Sequence, residues 1–219
     1  MKNPIRSVLL AVALTGIGTV AAPAHPHVWV DAKSEVVFDK EGRITAIRQV
    51  WRFDDAYSAF ASQGLDTDGD GKLSVRELKP LADLNVESLK EFGYFTFLMA
   101  GGKDRDFGKP TEYWIQDDGG LLTLYFTLPT AEPIPIKGGQ AALDVYDPTY
   151  YVDFAFVDDG PVTLDGAPAG CTVDVIRPKE LDPATAATLA EIPADQRDIP
   201  QDLMAVTSEL TNGATLKCP

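Results

Sequence analysis

The sequence predicts an α+β fold: an antiparallel β-sandwich with a helical EF-hand insertion and a disulfide-pinned C-terminal tail. Short runs rich in β-branched and aromatic residues recur between turns built from Gly and Asp. A block of helical periodicity over 54–92 interrupts them and surrounds a calcium-loop motif. Two cysteines, Cys171 and Cys218, bracket the C-terminal segment.

The chain opens with a leader. Lys2 and Arg6 precede a charge-free apolar stretch over 8–20, and Ala22-Pro23-Ala24 supplies the small-x-small pattern that signal peptidase reads. That stretch is shorter than the ~20 apolar residues a membrane-spanning helix needs. Residues 1–24 are therefore expected to be a signal peptide cleaved after Ala24, and 25–219 a single periplasmic domain. The chain has 33 acidic and 19 basic residues, a net charge of −14. Loss of Lys2 and Arg6 with the leader makes the balance more acidic still. Such a surface argues against nucleic acid and anionic lipid as partners and suits cations.

Alternation with β-branched residues predicts strands over Val28–Phe38 and Arg43–Phe53, joined by the turn Asp39-Lys40-Glu41-Gly42. A second hairpin is expected from 111–116 and 121–128 around Asp117-Asp118-Gly119-Gly120, with further strands over 141–146, 151–157 and 172–177. In the helical block, Asp54 or Asp55 caps a helix that puts Tyr57, Phe60, Ala61 and Leu65 on one face. Beyond it, 75–81 and 86–92 read as two short helices divided near Pro80. The tail over 181–210 carries two weak helical stretches, the first opened by Asp182-Pro183. In an oxidising compartment Cys171 and Cys218 most simply pair, closing the tail over 171–219.

Asp66-Thr67-Asp68-Gly69-Asp70-Gly71-Lys72-Leu73-Ser74-Val75-Arg76-Glu77 fits the EF-hand pattern at every diagnostic position. Hard Ca²⁺ needs many oxygens, and a tight loop supplies them from alternating residues. Asp66, Asp68 and Asp70 offer carboxylates, Lys72 its carbonyl, Ser74 a water-mediated contact, and Glu77 a bidentate carboxylate. Gly71 permits the sharp turn. The sequence shows no second such loop, so a constant, structural Ca²⁺ is expected here in preference to a switch.

Both histidines, His25 and His27, stand at the expected mature terminus. In an extended segment His25, His27 and Trp29 share a face, with Val28 and Val30 opposite. Two imidazoles and an α-amine are borderline-soft donors suited to Zn²⁺, which a carboxylate could complete. Pro26 has no N–H to lose, which closes the square-planar amide mode used for Cu²⁺ or Ni²⁺ at termini. Asp147 could reach this strand as an acidic ligand, though Asp147-Pro148 also reads as an Asx turn, the favoured reading.

His25-Pro26-His27-Val28-Trp29, then Trp51-Arg52-Phe53-Asp54-Asp55, then the EF-hand-like loop, together resemble a family of bacterial periplasmic proteins of unknown function. Leu84-Asn85-Val86-Glu87-Ser88-Leu89, Tyr94-Phe95-Thr96 and Val145-Tyr146-Asp147-Pro148-Thr149-Tyr150-Tyr151 fit the same resemblance. It implies an accessory role beside a nickel/cobalt-exporter-type membrane permease, with zinc, or else nickel or cobalt, as the ion. The leading expectation is therefore a non-enzymatic metal-binding accessory with a structural calcium loop. The alternative is a calcium-stabilised interaction module in which the histidines are incidental. A copper-brace enzyme is the weakest reading, since base, ligands and their supports would all have to come from carboxylates and tyrosines.

Overall fold

The computed structural model describes residues 26–136, 138–179, 182–192, 200, 203 and 208–219. The leader over 1–24, His25 and the second weak helical stretch of the tail lie outside the described residues. Among those described, no helix is long and apolar enough to cross a membrane.

Alternating burial builds β1 (Val28–Phe38) and β2 (Arg43–Phe53), whose bounds agree with the sequence reading. The Asp39 carboxylate folds their turn by accepting from the Glu41 and Arg43 amides and the Arg43 Nε. The Arg43 guanidinium holds that carboxyl below its ordinary range. Gly42 is required there: its φ is +76°, and a Cβ would lie 2.7 Å from Pro168.

After two helices, α1 (Asp55–Ala61) and α2 (Val75–Leu89), come β3 (Thr96–Ala100), β4 (Lys103–Arg105), β5 (Tyr113–Asp118), β6 (Leu121–Pro135) and β7 (Gly139–Val145). The chain continues through β8 (Val152–Phe156), β9 (Val162–Asp165), β10 (Thr172–Ile176), α3 (Pro183–Ala190) and β11 (Asn212–Cys218). One sheet runs β5-β6-β2-β1-β8, with β9 also on β1; the other runs β10-β11-β7-β3-β4.

The expectation of an antiparallel architecture needs correction, because β8 and β9 both pair with β1 in parallel. The physical reason is a change of sheet. Hairpin-joined strands within one sheet must run antiparallel. The chain instead leaves β7 in the second sheet, crosses through residues 146–151, and enters the first sheet along the free edge of β1. The fold is mostly β, with mixed pairing.

The two sheets share one hydrophobic core, with Val30, Ala32, Trp51 and Phe126 from the first and Leu98, Leu143, Val145 and Leu216 from the second. Trp51 meets Phe126 and Phe154 edge-on at centroid distances of 4.8 and 4.9 Å. Three buried polar side chains pair across the core. Ser34 donates to Gln49 (2.7 Å), and Gln49 Nε2 donates to Thr96 Oγ1 (3.0 Å). Asn212 accepts from the Phe156 amide and donates to the Phe154 carbonyl, tying β11 to β8.

Two helical expectations change. α2 is continuous, with Pro80 inside it, where two helices were expected. A proline there forfeits a backbone bond and costs about 3 kcal/mol. Leu78 and Ala82, fully buried on either side, together with the capping box at Ser74, hold the helix through it. Phe60 does not share the inward face with Tyr57; it is 74% exposed on a helix of only seven residues.

The cysteines pair as expected, at a sequence separation of 47. What they pin is not a peripheral tail. β11 lies between β10 and β7 and is buried at most of its positions, so the C-terminus completes the second sheet. Asp182 caps α3 with Pro183 following, as the sequence predicts.

Candidate metal centres

The loop over 66–77 leaves α1 and enters α2. Asp66, Asp68 and Asp70 are exposed, and each places a carboxylate oxygen within 4.8 Å of the others. Like charges that close repel by about 1 kcal/mol per pair even in water. Backbone donors hold them in place. The Gly69 and Gly71 amides donate to the two oxygens of Asp66 (2.8 and 2.9 Å), the Asp70 amide to Asp68 (3.2 Å), and the Lys72 amide to Asp70 (2.8 Å). Gly69 and Gly71 have φ of +73° and +77°, which only glycine adopts without strain.

Glu77 is not part of that triad. Its carboxylate is buried against the two ends of the loop. One oxygen accepts from the Thr67 amide (2.8 Å), the Thr67 hydroxyl (2.9 Å) and the Asp68 amide (3.3 Å); the other accepts from the Ser74 amide (3.0 Å) and hydroxyl (2.7 Å). These donors, Ser74 foremost, pull its pKa down to about 2. Ser74 also accepts from the Glu77 amide, completing the capping box that starts α2. Thr67, which the motif leaves unassigned, is thus one of the groups that orient Glu77.

The loop leans on the first sheet. A cleft of about 250 Å³ separates Asp66, Gly71, Lys72 and Leu73 from Asp117, Gly120 and Leu122 at the β5–β6 turn. Leu73 packs against the hydrophobic core. Around the cleft the Leu122 amide donates to buried Ser58 on α1 (3.0 Å), and Tyr113 on β5 donates to Asp83 on α2 (2.8 Å).

At the other site β1 begins beside β8. Val28 and Val30 are buried while Trp29 is half-exposed on the opposite side of the strand; His27, just before β1, is partly buried, with its Nε2 enclosed. The His27 ring lies 4.7 Å from that of Tyr151, and the His27 amide donates to the Tyr151 carbonyl (2.9 Å). Asp147 organises this corner. Its carboxylate, 6% exposed, accepts from the Thr149 amide and hydroxyl (both 2.8 Å) and from the Tyr151 and Val152 amides (3.1 and 2.9 Å). A carboxylate has about four acceptor positions, and these four donors occupy them. Asp147 therefore forms the Asx turn that the sequence favours and positions Tyr151 under His27.

Asp54 links the two regions, a connection the motifs do not announce. One carboxylate oxygen caps α1 through the Tyr57 amide (2.8 Å), and the other accepts from the Trp29 amide (2.8 Å). The Asp54 amide donates in turn to the Trp29 carbonyl (3.0 Å). The same residue thereby fixes the start of the helix leading to the acidic loop and the start of β1, next to His27.

A family model described as protein of unknown function (DUF1007) matches residues 10–218. The chain is 25% identical over 157 residues to an uncharacterized protein of Haemophilus influenzae, covering 71% of this chain and 74% of that one. It is 32% identical over 99 residues to an uncharacterized 15.5 kDa protein from the trpE 3′ region of Spirochaeta aurantia, covering 45% of this chain and 70% of that one.

Proposed function

Because the chain belongs to the DUF1007 family of proteins of unknown function, we propose its role from its own residues: an exported metal-binding accessory with two chemically distinct sites. The observation that carries the proposal is the convergence of Asp66, Asp68 and Asp70, held by loop amides in a sequence that meets the EF-hand pattern. Their hard oxygens suit Ca²⁺, with the Lys72 carbonyl, Ser74 through water, and Glu77 as the further donors. Glu77 would exchange its contacts to Thr67 and Ser74 for the ion. The hydrogen bonds that β6 and β5 donate to α1 and α2 favour a calcium that stiffens the structure over one that switches it.

The second site is the terminus, where His25 and His27 would bind Zn²⁺, or Ni²⁺ or Co²⁺, through nitrogen. Export is supported by the leader pattern and by the Cys171–Cys218 bond, which persists in oxidising compartments. Delivery of the ion to a nickel/cobalt-exporter-type permease rests on the resemblance of residues 25–29 and 51–55 to the periplasmic family.

Melting curves of the secreted protein in EDTA and in millimolar Ca²⁺ test the first site. A rise with Ca²⁺ is expected, and an unchanged melting temperature would remove calcium from the proposal. Calorimetry with Zn²⁺ in saturating Ca²⁺ tests the second. About one Zn²⁺ is expected, lost in His27→Ala; undiminished binding in that variant would leave only the calcium module.

A further inference from the structure

We propose that Asp153 on β8 is the acidic ligand of the terminal transition-metal site, holding the ion together with His27, the residue before β1. The inference rests on the reading that His27 ligates, and names the partner that the sequence could not.

Register places the two together. In the parallel pairing of β1 with β8, Val28 is opposite Val152 and Trp29 opposite Asp153. Paired residues project to the same side of a sheet, and residues two apart on one strand share a face. Trp29 faces outward, so Asp153, its register partner, lies on that side of the sheet, and an extended chain before β1 puts His27 there too, partly buried with its Nε2 enclosed. They are diagonal neighbours, whose Cα atoms lie ~7–8 Å apart. An imidazole and a carboxylate can close that interval on one ion, since Zn–N and Zn–O bonds are each about 2 Å. The imidazole already leans towards β8, against Tyr151.

The environment of Asp153 points the same way. Other carboxylates on this part of the sheet have donors. Asp31 has Arg52 at 2.5 Å, Glu35 and Asp165 share Arg48 at 2.5 and 2.9 Å, and Asp147 has its four turn donors. Asp153 is half-buried, and its carboxylate makes no side-chain hydrogen bond or ion pair with the described residues. A partly desolvated carboxylate with no positive partner is unfavourable, and a divalent cation held against His27 is the partner this arrangement lacks. Trp29 and Tyr151 beside it are 50% and 45% exposed.

The experiment uses secreted protein that begins at His25, with Ca²⁺ saturating the loop and Zn²⁺ as the probe in calorimetry. Removing groups that merely orient zinc ligands already weakens binding 10–100-fold, so Asp153→Asn is expected to weaken it by about 100-fold. Its Ca²⁺ affinity should be unchanged. Its melting temperature in EDTA should be equal or higher, because a desolvated charge has gone. The visible absorption of bound Co²⁺ should change as an oxygen donor is lost. If Asp153→Asn binds Zn²⁺ as tightly as wild type while His27→Ala does not bind it, Asp153 is no ligand, although the terminal site stands. If His27→Ala also binds as wild type does, the site itself is refuted. A fall in both Zn²⁺ affinity and metal-free melting temperature would make Asp153 structural and overturn the assignment.

Discussion

The loop over 66–77 and the start of β1 assemble possible metal ligands on opposite plans. In the loop, the acids, the glycines that turn them inward and the amides that hold them are contiguous, and α2 is capped by the same Ser74–Glu77 pair that closes the loop. At β1, His27 meets Tyr151 and the neighbouring Trp29 is paired with Asp153, groups more than a hundred residues away that arrive only when β8 docks along the edge of β1. A local site can be preformed by its own backbone, whereas a distributed site depends on strand register. The first should tolerate damage to the sheet better than the second, and the second should be more easily opened to release an ion.

The largest expected effect is a crossed loss of binding. Glu77→Gln should abolish Ca²⁺ binding and leave Zn²⁺ affinity intact, while His27→Ala should do the reverse, both read by calorimetry. Because Glu77 accepts five hydrogen bonds without any ion, its replacement should also lower the melting temperature in EDTA. Loss of both ions in either variant would collapse the distinction between the sites.

Removing the disulfide comes next. Cys171→Ala with Cys218→Ala reopens a loop whose closure stabilises by up to ~4 kcal/mol, measured by denaturant unfolding. Since β11 is central to the second sheet, both metal affinities should survive once the protein is folded. A selective loss of Zn²⁺ binding would show that strain in the second sheet reaches β8 through Asn212.

A smaller effect should come from the residue both regions share. Asp54→Ala removes an N-cap worth about 1 kcal/mol and the acceptor for the Trp29 amide, so both ions should bind several-fold more weakly. If stability alone falls, the link through Asp54 carries no coupling between the sites.

The smallest effect concerns acid. Glu77 has a folded pKa lowered to about 2 from an ordinary 4.5. Its contribution to metal-free stability is therefore complete above the ordinary value and is lost as pH falls towards 2. Wild type and Glu77→Gln should differ in melting temperature at pH 6 in EDTA and converge near pH 2. A difference that persists there would assign it to Gln packing instead of to the charge.

Much of this molecule was legible in order along the chain. The β1–β2 hairpin, the acidic loop, the Asp182 cap and the cysteine pair all follow from patterns a few residues long or from residue type alone. Alternation, Gly at positive φ and side-chain caps act between near neighbours, and their signal survives in a sequence. The remainder follows from contacts between distant segments. Nothing local marks 152–156 as parallel to β1, places 212–218 inside a sheet, carries α2 through Pro80, or turns Phe60 outward. Register and sheet membership are set by which apolar faces bury together across the whole core, and that competition leaves no trace at a single position. For the same reason the motif at 66–77 announces its acids, whereas Asp153 stands opposite Trp29 only because the chain changes sheets after β7.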